Sequence, residues 1–319
     1  MFFIMKFNFN FYRHLLGYRT FSYDDISQDM FIDFLQSELE MYGFQCRRDK
    51  YGNLIADRGP IDQIKPLIIA HVDINQREEQ IPTIHNIDGW IIGMLDGQQI
   101  GAGHDDRAGI YFALLYAEHT TFDVRIIFTK DEEVGCLGTS ALPKWSLKNI
   151  SMAVQLDRRG RSDISDFTNG VNVVSKSFKK RAIPTLEKYG YQWQRTMFTD
   201  VGHLKSHHMV DFCCMNISCG YYDEHTNNER LNVAQYQNAI NFATELLITF
   251  GYEKQHHKAE SKKEFKSWNT PKWQSIGSTN GSKKSDRYDS VWYSDFNDDK
   301  KDIDLWNESF NYDRSKKYF

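Results

Sequence analysis

The strongest signal of the fold in this chain is the run PLIIAHVD, residues 66–73. Its first five residues are apolar, which is typical of a strand that is buried on both faces of a sheet. His71 and Asp73, whose side chains can bind metals or move protons, follow directly after those five residues. Because ligands of open α/β sheets bind beyond the carboxyl ends of the strands, the run predicts a buried parallel strand with a polar site at its end.

Helical and strand-like segments alternate on both sides of this run. The predicted helices cover residues 27–43, 106–118 and 231–250, where apolar residues recur at a helical spacing. The predicted strands cover 44–47, 54–56, 66–70, 124–129, 151–156 and 211–218, with hairpin strands over 83–100. This alternation predicts an α/β domain whose sheet is mixed but mostly parallel, with helices on both faces.

Carboxylate and imidazole side chains recur where other predicted strands end or predicted helices begin. The segments that carry them are GAGHDDRAG (101–109), FTKDEEVGCLG (128–138), VQLDRRG (154–160) and CGYYDEHTNNE (219–229). The side chains concerned are, in chain order, His71, Asp73, Asp105, Asp106, Glu132, Glu133, Asp157 and His225. Charges that only keep a surface hydrated have no reason to fall at these places. We therefore expect the set to converge on one site at the edge of the sheet.

These side chains suit a pair of divalent metal ions. Zinc binds imidazole nitrogen and carboxylate oxygen, and a catalytic zinc site leaves one position open for water. Two ions that act together share a bridging carboxylate. We predict His71 and Asp157 as ligands of one ion, Glu133 and His225 as ligands of the other, and Asp105 as the bridge. Zinc is the expected metal, with cobalt or manganese as alternatives.

Two acidic residues are left beside the predicted ligands. Asp73 lies two positions after His71 and is predicted to orient that imidazole from behind. Glu132 holds no metal in this assignment, so it is predicted to be the general base, which takes a proton from the attacking water and passes it to the leaving amine. An HxD triplet or an acidic pair is common on protein surfaces, so the prediction depends on the whole ordered set.

In this order, HxD, GAGHDDRAG, DEEVG, Asp and His resemble the superfamily of di-zinc exopeptidases. That group includes peptidase T, acetylornithine deacetylase-like amidohydrolases, and the leucyl, glutamyl and deblocking aminopeptidases. DDR at 105–107 and EEVG at 132–135 look most like the glutamyl and deblocking enzymes, and DKYGNLIA at 49–56 is similar to a motif that these enzymes share. The resemblance covers residues 26–250. It implies the roles given above and a cis peptide bond between residues 105 and 106.

The chain departs from parts of that superfamily in its short connections. Peptidase T-like relatives carry a lid domain between the counterparts of Asp157 and His225, which are here only 68 positions apart (225 − 157). Deblocking aminopeptidases carry a large insertion between the counterparts of His71 and Asp105, which are here 34 positions apart (105 − 71). The resemblance therefore implies a catalytic domain without a lid.

The predicted function is that of a metal-dependent, aminopeptidase-like exopeptidase. It would hydrolyse a peptide substrate with a water activated by two divalent ions. One alternative is an N-acyl amino acid amidohydrolase or carboxypeptidase that uses the same site. Another is a catalytically silent metal-binding scaffold, although Glu132 would serve no purpose in mere binding.

Composition limits the partners and the compartment. The 319 residues are 40% hydrophobic and 26% charged, with a formal net charge of −4 and no dense basic stripe, so nucleic acid is not expected as a partner. The five cysteines form no CxxC pair, which indicates a reducing compartment. No apolar run reaches the about 18 residues of a membrane span, and the Phe-rich start is too interrupted for a secretion signal. We expect a cytoplasmic protein without a membrane partner.

Composition also divides the chain. Residues 253–319 are rich in Ser, Asn, Asp and Lys, with scattered Trp and Tyr, and show neither a helical nor a strand period. We predict an N-terminal extension over 1–22, a di-zinc peptidase catalytic domain over 23–252, and a disordered tail over 253–319. The alternative for the tail is a segment that binds a protein partner through its aromatic residues. The sequence is also compatible with an oligomer.

Some further polar residues have two interpretations. His104 stands where the superfamily has a small or apolar residue, and it either contacts substrate or packs in the core. Asp200 resembles an aspartate that lies near the substrate in the aminopeptidases. The arginines at 158 and 159 either bind a substrate carboxylate or pair with the aspartates at 163 or 166. The residues interpreted as structural are Cys136, His203, His207 and His208.

Overall fold

The computed structural model describes residues 5–76, 79–168, 170–196 and 199–258. Its strands form a central sheet of nine strands and a second sheet of five. Within these residues the strands are β1 (Gln45–Arg48), β2 (Leu54–Arg58), β3 (Lys65–His71), β4 (Thr83–Ile87), β5 (Trp90–Leu95), β6 (Gln98–Ile100), β7 (Val124–Thr129), β8 (Ile150–Arg158), β9 (Asp163–Thr168), β10 (Val171–Asn172), β11 (Gln192–Arg195), β12 (Cys213–Ser218), β13 (Tyr221–Tyr222) and β14 (Arg230–Asn232). The helices are α1 (Phe9–Leu16), α2 (Asp25–Met41), α3 (His104–His119), α4 (Leu137–Ala141), α5 (Lys176–Tyr189), α6 (Asp200–Ser206) and α7 (Val233–Phe250), with a short 3-10 helix at Lys144–Leu147.

The central sheet is mixed, and its middle is parallel. Its strand order is β1-β2-β7-β3-β8-β12-β9-β10, and β11 also pairs with β9. The four strands β7, β3, β8 and β12 run parallel, whereas β2 is antiparallel to β7 and β9 is antiparallel to β12. Every residue of β3 and β7 is buried, so both faces of the sheet must be covered there, and helices α3 and α6 pack on β3 and β8. This confirms the predicted α/β fold, a mixed sheet flanked by helices.

A second sheet contains five strands within the described residues, in the order β13-β14-β5-β4, with β6 beside β5. The predicted hairpins are confirmed. The Asp-Gly pairs at 88–89 and 96–97 join its strands, and all four residues have positive φ (51°, 81°, 49° and 78°), as two-residue type I′ turns require. The pairing that places Leu231 opposite Ile91 was not predicted, because it joins segments that are far apart in the chain.

The N-terminal residues pack into the same core as the sheet. Tyr12, Leu15 and Leu16 of α1 are fully buried and belong to the hydrophobic core cluster that also contains β3 and α3. Apolar side chains of residues 5–22 therefore belong to the core of the unit that contains the central sheet.

The C-terminal end of the described chain also contacts this unit. Beyond α7, the backbone of Gln255 donates to Ser151 O and accepts from Cys213 N, and His257 N donates to Asp211 O. Residues 259–319, the greater part of the predicted tail, lie outside the described residues. All five cysteines are free thiols, and four of them are buried. Among the helices that the structure describes, none has the length and apolar character needed to cross a membrane.

Candidate metal centre

The predicted site residues meet at the C-terminal edge of the central parallel strands. His71 is the last residue of β3, and Asp157 lies at the end of β8. Glu132 and Glu133 follow β7 after two residues, since that strand ends at Thr129. Asp105 stands in the first turn of α3, and His225 lies in the loop between β13 and β14. The parallel strands bring His71, Asp157 and the acidic pair together because their carboxyl ends share one edge, and α3 and the second sheet bring Asp105 and His225 to the same place.

Asp105 occupies the centre of this group. Its Oδ1 lies 3.0 Å from His71 Nε2 and its Oδ2 lies 3.2 Å from His225 Nε2, so one carboxylate faces both imidazoles. The peptide bond between Asp105 and Asp106 is cis, as the resemblance to the di-zinc exopeptidases implies. Asp106 turns away from the imidazole rings: its Oδ1 accepts a hydrogen bond from Gly109 N (2.8 Å) and its Oδ2 accepts one from His71 N (3.3 Å).

Two clusters of three metal-binding groups share Asp105. One contains His71, Asp105 and Asp157, the other contains Asp105, Glu133 and His225, and within each cluster the donor atoms lie within 4.8 Å of one another. In the first, His71 Nε2 lies 3.8 Å from Asp157 Oδ1; in the second, His225 Nε2 lies 2.9 Å from Glu133 Oε1. All five predicted ligands are therefore brought together in the predicted pairs.

The clusters concentrate negative charge in a buried place. Burial raises the pKa of Asp157 well above its usual value, and the charges of Asp105 and Asp106 raise it further. Burial and the charge of Asp105 likewise raise the pKa of Glu133. Hydrogen bonds to Asp105 and Glu133 raise the pKa of His225 to about 10. Carboxylates that are this crowded favour a bound cation, because a divalent ion stabilises their ionised form. Two imidazoles and three carboxylates are also the donor set that zinc accepts.

The carboxylate of Asp73 accepts hydrogen bonds from the backbone of Glu132 and Glu133. Its Oδ1 accepts from Glu132 N (2.9 Å), and its Oδ2 accepts from Glu133 N (3.2 Å) and from Ser22 Oγ (2.7 Å). Its Oδ1 also lies 3.4 Å from His71 Nδ1, which in turn lies 3.0 Å from the backbone oxygen of Asp73. Burial opposes the charge of Asp73, but the contact with His71 outweighs it and lowers the pKa of Asp73.

Glu132 stands beside both clusters without belonging to either. Its Oε2 lies 3.9 Å from His71 Nε2, and its side chain is 12% exposed. Burial, followed by the charges of Asp200 and Asp105, raises the pKa of Glu132 well above its usual value, against the opposing effect of His71. The thiol of Cys136 lies 3.5 Å from Glu132 Oε1, and burial raises the pKa of that thiol too, so Cys136 is a neutral neighbour.

Comparison with known protein families supplies the identification. The sequence pattern of peptidase family M28 matches residues 67–239, which is 173 of the 319 residues (239 − 67 + 1). The chain belongs to peptidase family M28. It is therefore a metal-dependent, aminopeptidase-like hydrolase of peptide bonds, which confirms the resemblance to the di-zinc exopeptidases. A search of curated protein sequences found no significant match.

Solved structures with the same fold include three peptidases. A tripeptidase from Staphylococcus aureus superposes with a TM-score of 0.60 at 12% identity, over 76% of this chain and 97% of that one. The aminopeptidase PepT from Bacillus cereus gives 0.60 at 13% identity, over 75% and 96%. An aminopeptidase from the archaeon Desulfurococcus kamchatkensis gives 0.58 at 14% identity, over 74% and 93%. At these identities the similarity establishes the shared fold.

Glu229 lies at this site but was not predicted from the sequence. Its carboxylate is buried beside the backbone of Asp105, where Oε2 accepts from Gly103 N (2.7 Å) and Gln76 Nε2 (3.0 Å), and Oε1 accepts from Asp105 N (3.2 Å). Burial raises its pKa to about 7. Glu229 follows His225 by four positions, but nothing in that polar loop marks it for burial.

Asp200 lies inside the M28 domain, behind one of the clusters. It is fully buried and accepts from Thr129 Oγ1 (2.9 Å) and from the hydroxyl of Thr139. Gln155 connects it to Asp157, because Gln155 Nε2 lies 3.0 Å from Asp157 Oδ2 and 3.5 Å from Asp200 Oδ2. In this structure Asp200 therefore supports the backbone and side chains behind the site.

His104 packs in the core. It is fully buried, with Nδ1 2.8 Å from the Tyr12 hydroxyl and Nε2 3.2 Å from Ile91 O. Burial lowers the pKa of His104 to about 3, so the ring is neutral. Of the two open interpretations, the structure supports the packed histidine.

The remaining polar candidates contact protein groups. Arg158 pairs with Asp163 (3.3 Å), which is one of the predicted partners. Arg159 pairs instead with Glu224 (3.0 Å), on the loop that carries His225. The histidine contacts are His203 Nε2 to Ser140 Oγ (2.7 Å), His208 Nε2 to Thr139 O (2.6 Å), and the ring of His207 against the rings of His203 and His208.

Proposed function

We propose that this M28 peptidase is a di-zinc exopeptidase that removes residues from the free N-terminus of peptides. In this proposal His71 and Asp157 hold one ion, Glu133 and His225 hold the other, and Asp105 bridges them. The observation that carries it is the carboxylate of Asp105, which belongs to both clusters and presents one oxygen to each histidine. Cobalt or manganese are the alternative metals.

The charges of the site support two ions. The three ligand carboxylates carry a charge of −3 when ionised, and the nearest imidazoles are neutral when they bind metal. When bound, the ions supply Lewis acidity, which makes water a stronger acid and polarises the scissile carbonyl. The five proposed ligands lie at strand ends, in loops and in the first turn of α3, and mounting on such elements preorganises a catalytic site.

Glu132 is the proposed general base. It is close enough to the clusters to accept a proton from water there, and its Oε2 lies 3.9 Å from His71 Nε2. Its raised pKa brings it nearer to the operating pH, which is where a general base works best. After the attack, Glu132 passes the proton to the leaving amine. Asp73 holds the backbone of Glu132 through the hydrogen bond from Glu132 N.

A substrate panel and a metal analysis test this function. The panel contains peptides with a free amine, the same peptides acetylated at the N-terminus, and N-acyl amino acids. We expect two divalent ions per chain, hydrolysis of the free-amine peptides, loss of activity on chelation, and recovery with zinc, cobalt or manganese. Preference for N-acyl amino acids would replace the proposal with an amidohydrolase or carboxypeptidase that uses the same site. Bound metal without any hydrolysis would make the chain a metal-binding scaffold.

The other properties proposed for this chain come from its sequence. They are a cytoplasmic location, no nucleic-acid or membrane partner, and a protein partner for residues 253–319 as the alternative to disorder. We also propose from the sequence that the peptidase domain extends to about residue 252 and that the chain assembles into oligomers. Size-exclusion chromatography of the purified chain tests the last of these.

A further inference from the structure

Residues 18–23 run between the two loops that carry the catalytic acids. On one side, Thr20 O accepts from Ile74 N (2.8 Å), and Phe21 forms a parallel bridge with Ile74. On the other side, Tyr23 N donates to Asp131 Oδ1 (2.7 Å). Ile74 directly follows Asp73, and residue 131 directly precedes Glu132. This 18–23 segment precedes the residues that match the M28 family, which begin at residue 67.

A single side chain of the 18–23 segment reaches the carboxylate behind the metal site. Ser22 Oγ donates to Asp73 Oδ2 over 2.7 Å. The same oxygen accepts from Glu133 N, while Oδ1 accepts from Glu132 N and lies 3.4 Å from His71 Nδ1. Without the Ser22 hydroxyl, Oδ2 would keep the hydrogen bond that it accepts from Glu133 N. The carboxylate would then be held less firmly, because it would lose the shortest of its hydrogen bonds and keep those from Glu132 N and Glu133 N.

The 18–23 segment is itself held in place by the residue two positions beyond the bridge. Arg107 is fully buried and donates to Tyr18 O (2.9 Å), to Thr20 Oγ1 (2.6 Å) and to Val72 O (2.9 Å). These bonds connect the segment to α3, which carries Asp105, and to the residue between His71 and Asp73. Ser22 is therefore presented to Asp73 by a backbone with a fixed position relative to the clusters.

We infer that Ser22 is a positioning residue of the metal centre, acting through Asp73 on His71, Glu132 and Glu133. The inference rests on the proposed function. A partly exposed serine usually contributes little, but this one donates to a carboxylate that is fully buried. The catalytic unit therefore includes the N-terminal residues, and its metal affinity depends on them.

Zinc titration of the metal-stripped, full-length chain tests the role of Ser22. Residues that support a metal ligand from behind typically contribute about 10–100-fold to metal affinity or activity. Ser22 reaches the proposed ligands through Asp73, so we expect Ser22→Ala to weaken zinc binding by about tenfold, the lower end of that range, and to lower kcat with little change in KM. Ser22→Thr keeps the hydroxyl and should restore both values to near those of the wild type. The matched control is Ser27→Ala, whose hydroxyl contacts Asp24 O (3.4 Å) and should affect neither value.

Thermal unfolding of the metal-stripped variants separates positioning from folding. If Ser22→Ala binds zinc as tightly as the wild type and keeps its kcat, the inference is wrong. It is also wrong if Ser22→Ala lowers the Tm of the stripped protein strongly and Ser22→Thr fails to restore zinc affinity, since Ser22 would then be structural. A wild-type chain that binds no divalent ion would overturn the proposed function together with this inference. If the wild type binds zinc and Ser22→Ala has the same zinc affinity and kcat as the wild type, only the inference is overturned.

Discussion

Replacing Glu132 with glutamine removes a base and changes little else in the structure. The Glu132 carboxylate lies outside both metal clusters, and its polar contacts there are 3.9 Å to His71 Nε2 and 3.5 Å to the thiol of Cys136. Its backbone N–H still donates to Asp73 in the variant. Glutamine keeps the size of the side chain, so the zinc content should stay at the value of the wild type.

We expect Glu132→Gln to lose turnover and to keep its metal. Removing a general base typically costs about 10²–10⁴-fold in rate, or about 3–5 kcal/mol in the activation free energy at 1.36 kcal/mol for each factor of ten. The same change at Glu133 provides the matched control. Glu133 Oε1 lies 2.9 Å from His225 Nε2 inside a cluster, so Glu133→Gln should weaken metal binding, and added zinc should restore part of its activity.

The assay compares metal content after dialysis with kcat on a free-amine peptide, for the wild type and both variants. Glu132→Gln should contain two ions and be nearly inactive at every zinc concentration. If Glu132→Gln loses an ion while Glu133→Gln keeps both, the two roles are reversed. If Glu132→Gln turns over like the wild type, the reasoning that places the base at Glu132 is refuted.

Three further outcomes are expected. Tyr12→Phe removes a hydroxyl 2.8 Å from His104 Nδ1 and leaves a buried nitrogen unpaired, so urea unfolding should show a loss of about 1–3 kcal/mol; an unchanged midpoint would contradict this. A chain that ends at residue 258 should keep its Tm and activity, whereas one that ends at 252 loses the backbone bonds of Gln255 and His257 and should melt earlier; equal Tm values would count against the account of these bonds. Chelation of the wild type should abolish hydrolysis and zinc should restore it; activity that survives chelation would exclude the metal-dependent mechanism.

Local patterns were sufficient for the central parallel strands and for the residues at their ends, but not for β9, β10, β11, β13 and β14. The strand β7 was predicted to the residue, at 124–129, and β3 was predicted to within one residue at each end. A continuous apolar run is a local property, and the carboxyl ends of parallel strands share an edge in any such sheet. A proposed ligand at the end of a strand, such as His71, can therefore be placed without knowledge of the tertiary structure.

Four of the described helices, α1, α4, α5 and α6, were not predicted from the sequence. Two of them, α5 and α6, were missed for different reasons. The buried residues of α5 (Lys176–Tyr189) are Phe178, Ala182, Thr185 and Leu186, which is a helical spacing, but Pro184 interrupts the pattern inside the helix. The helix α6 (Asp200–Ser206) has only seven residues, too few for a helical period to stand out. In both cases the contacts with the rest of the fold stabilise a helix that the local sequence only weakly indicates.

The supporting residues of the site were decided by tertiary structure. Ser22 lies 51 positions before Asp73, and Glu229 lies 124 positions after Asp105, so each contact depends on the path of the whole chain. Neither residue belongs to a periodic pattern, and a polar residue in a loop has no local sign that it will face a buried carboxylate or an amide. The metal-binding pattern and the central strands are therefore readable from the sequence, because strand ends converge by geometry. The hydrogen bonds that hold them in place arise only when distant segments pack together.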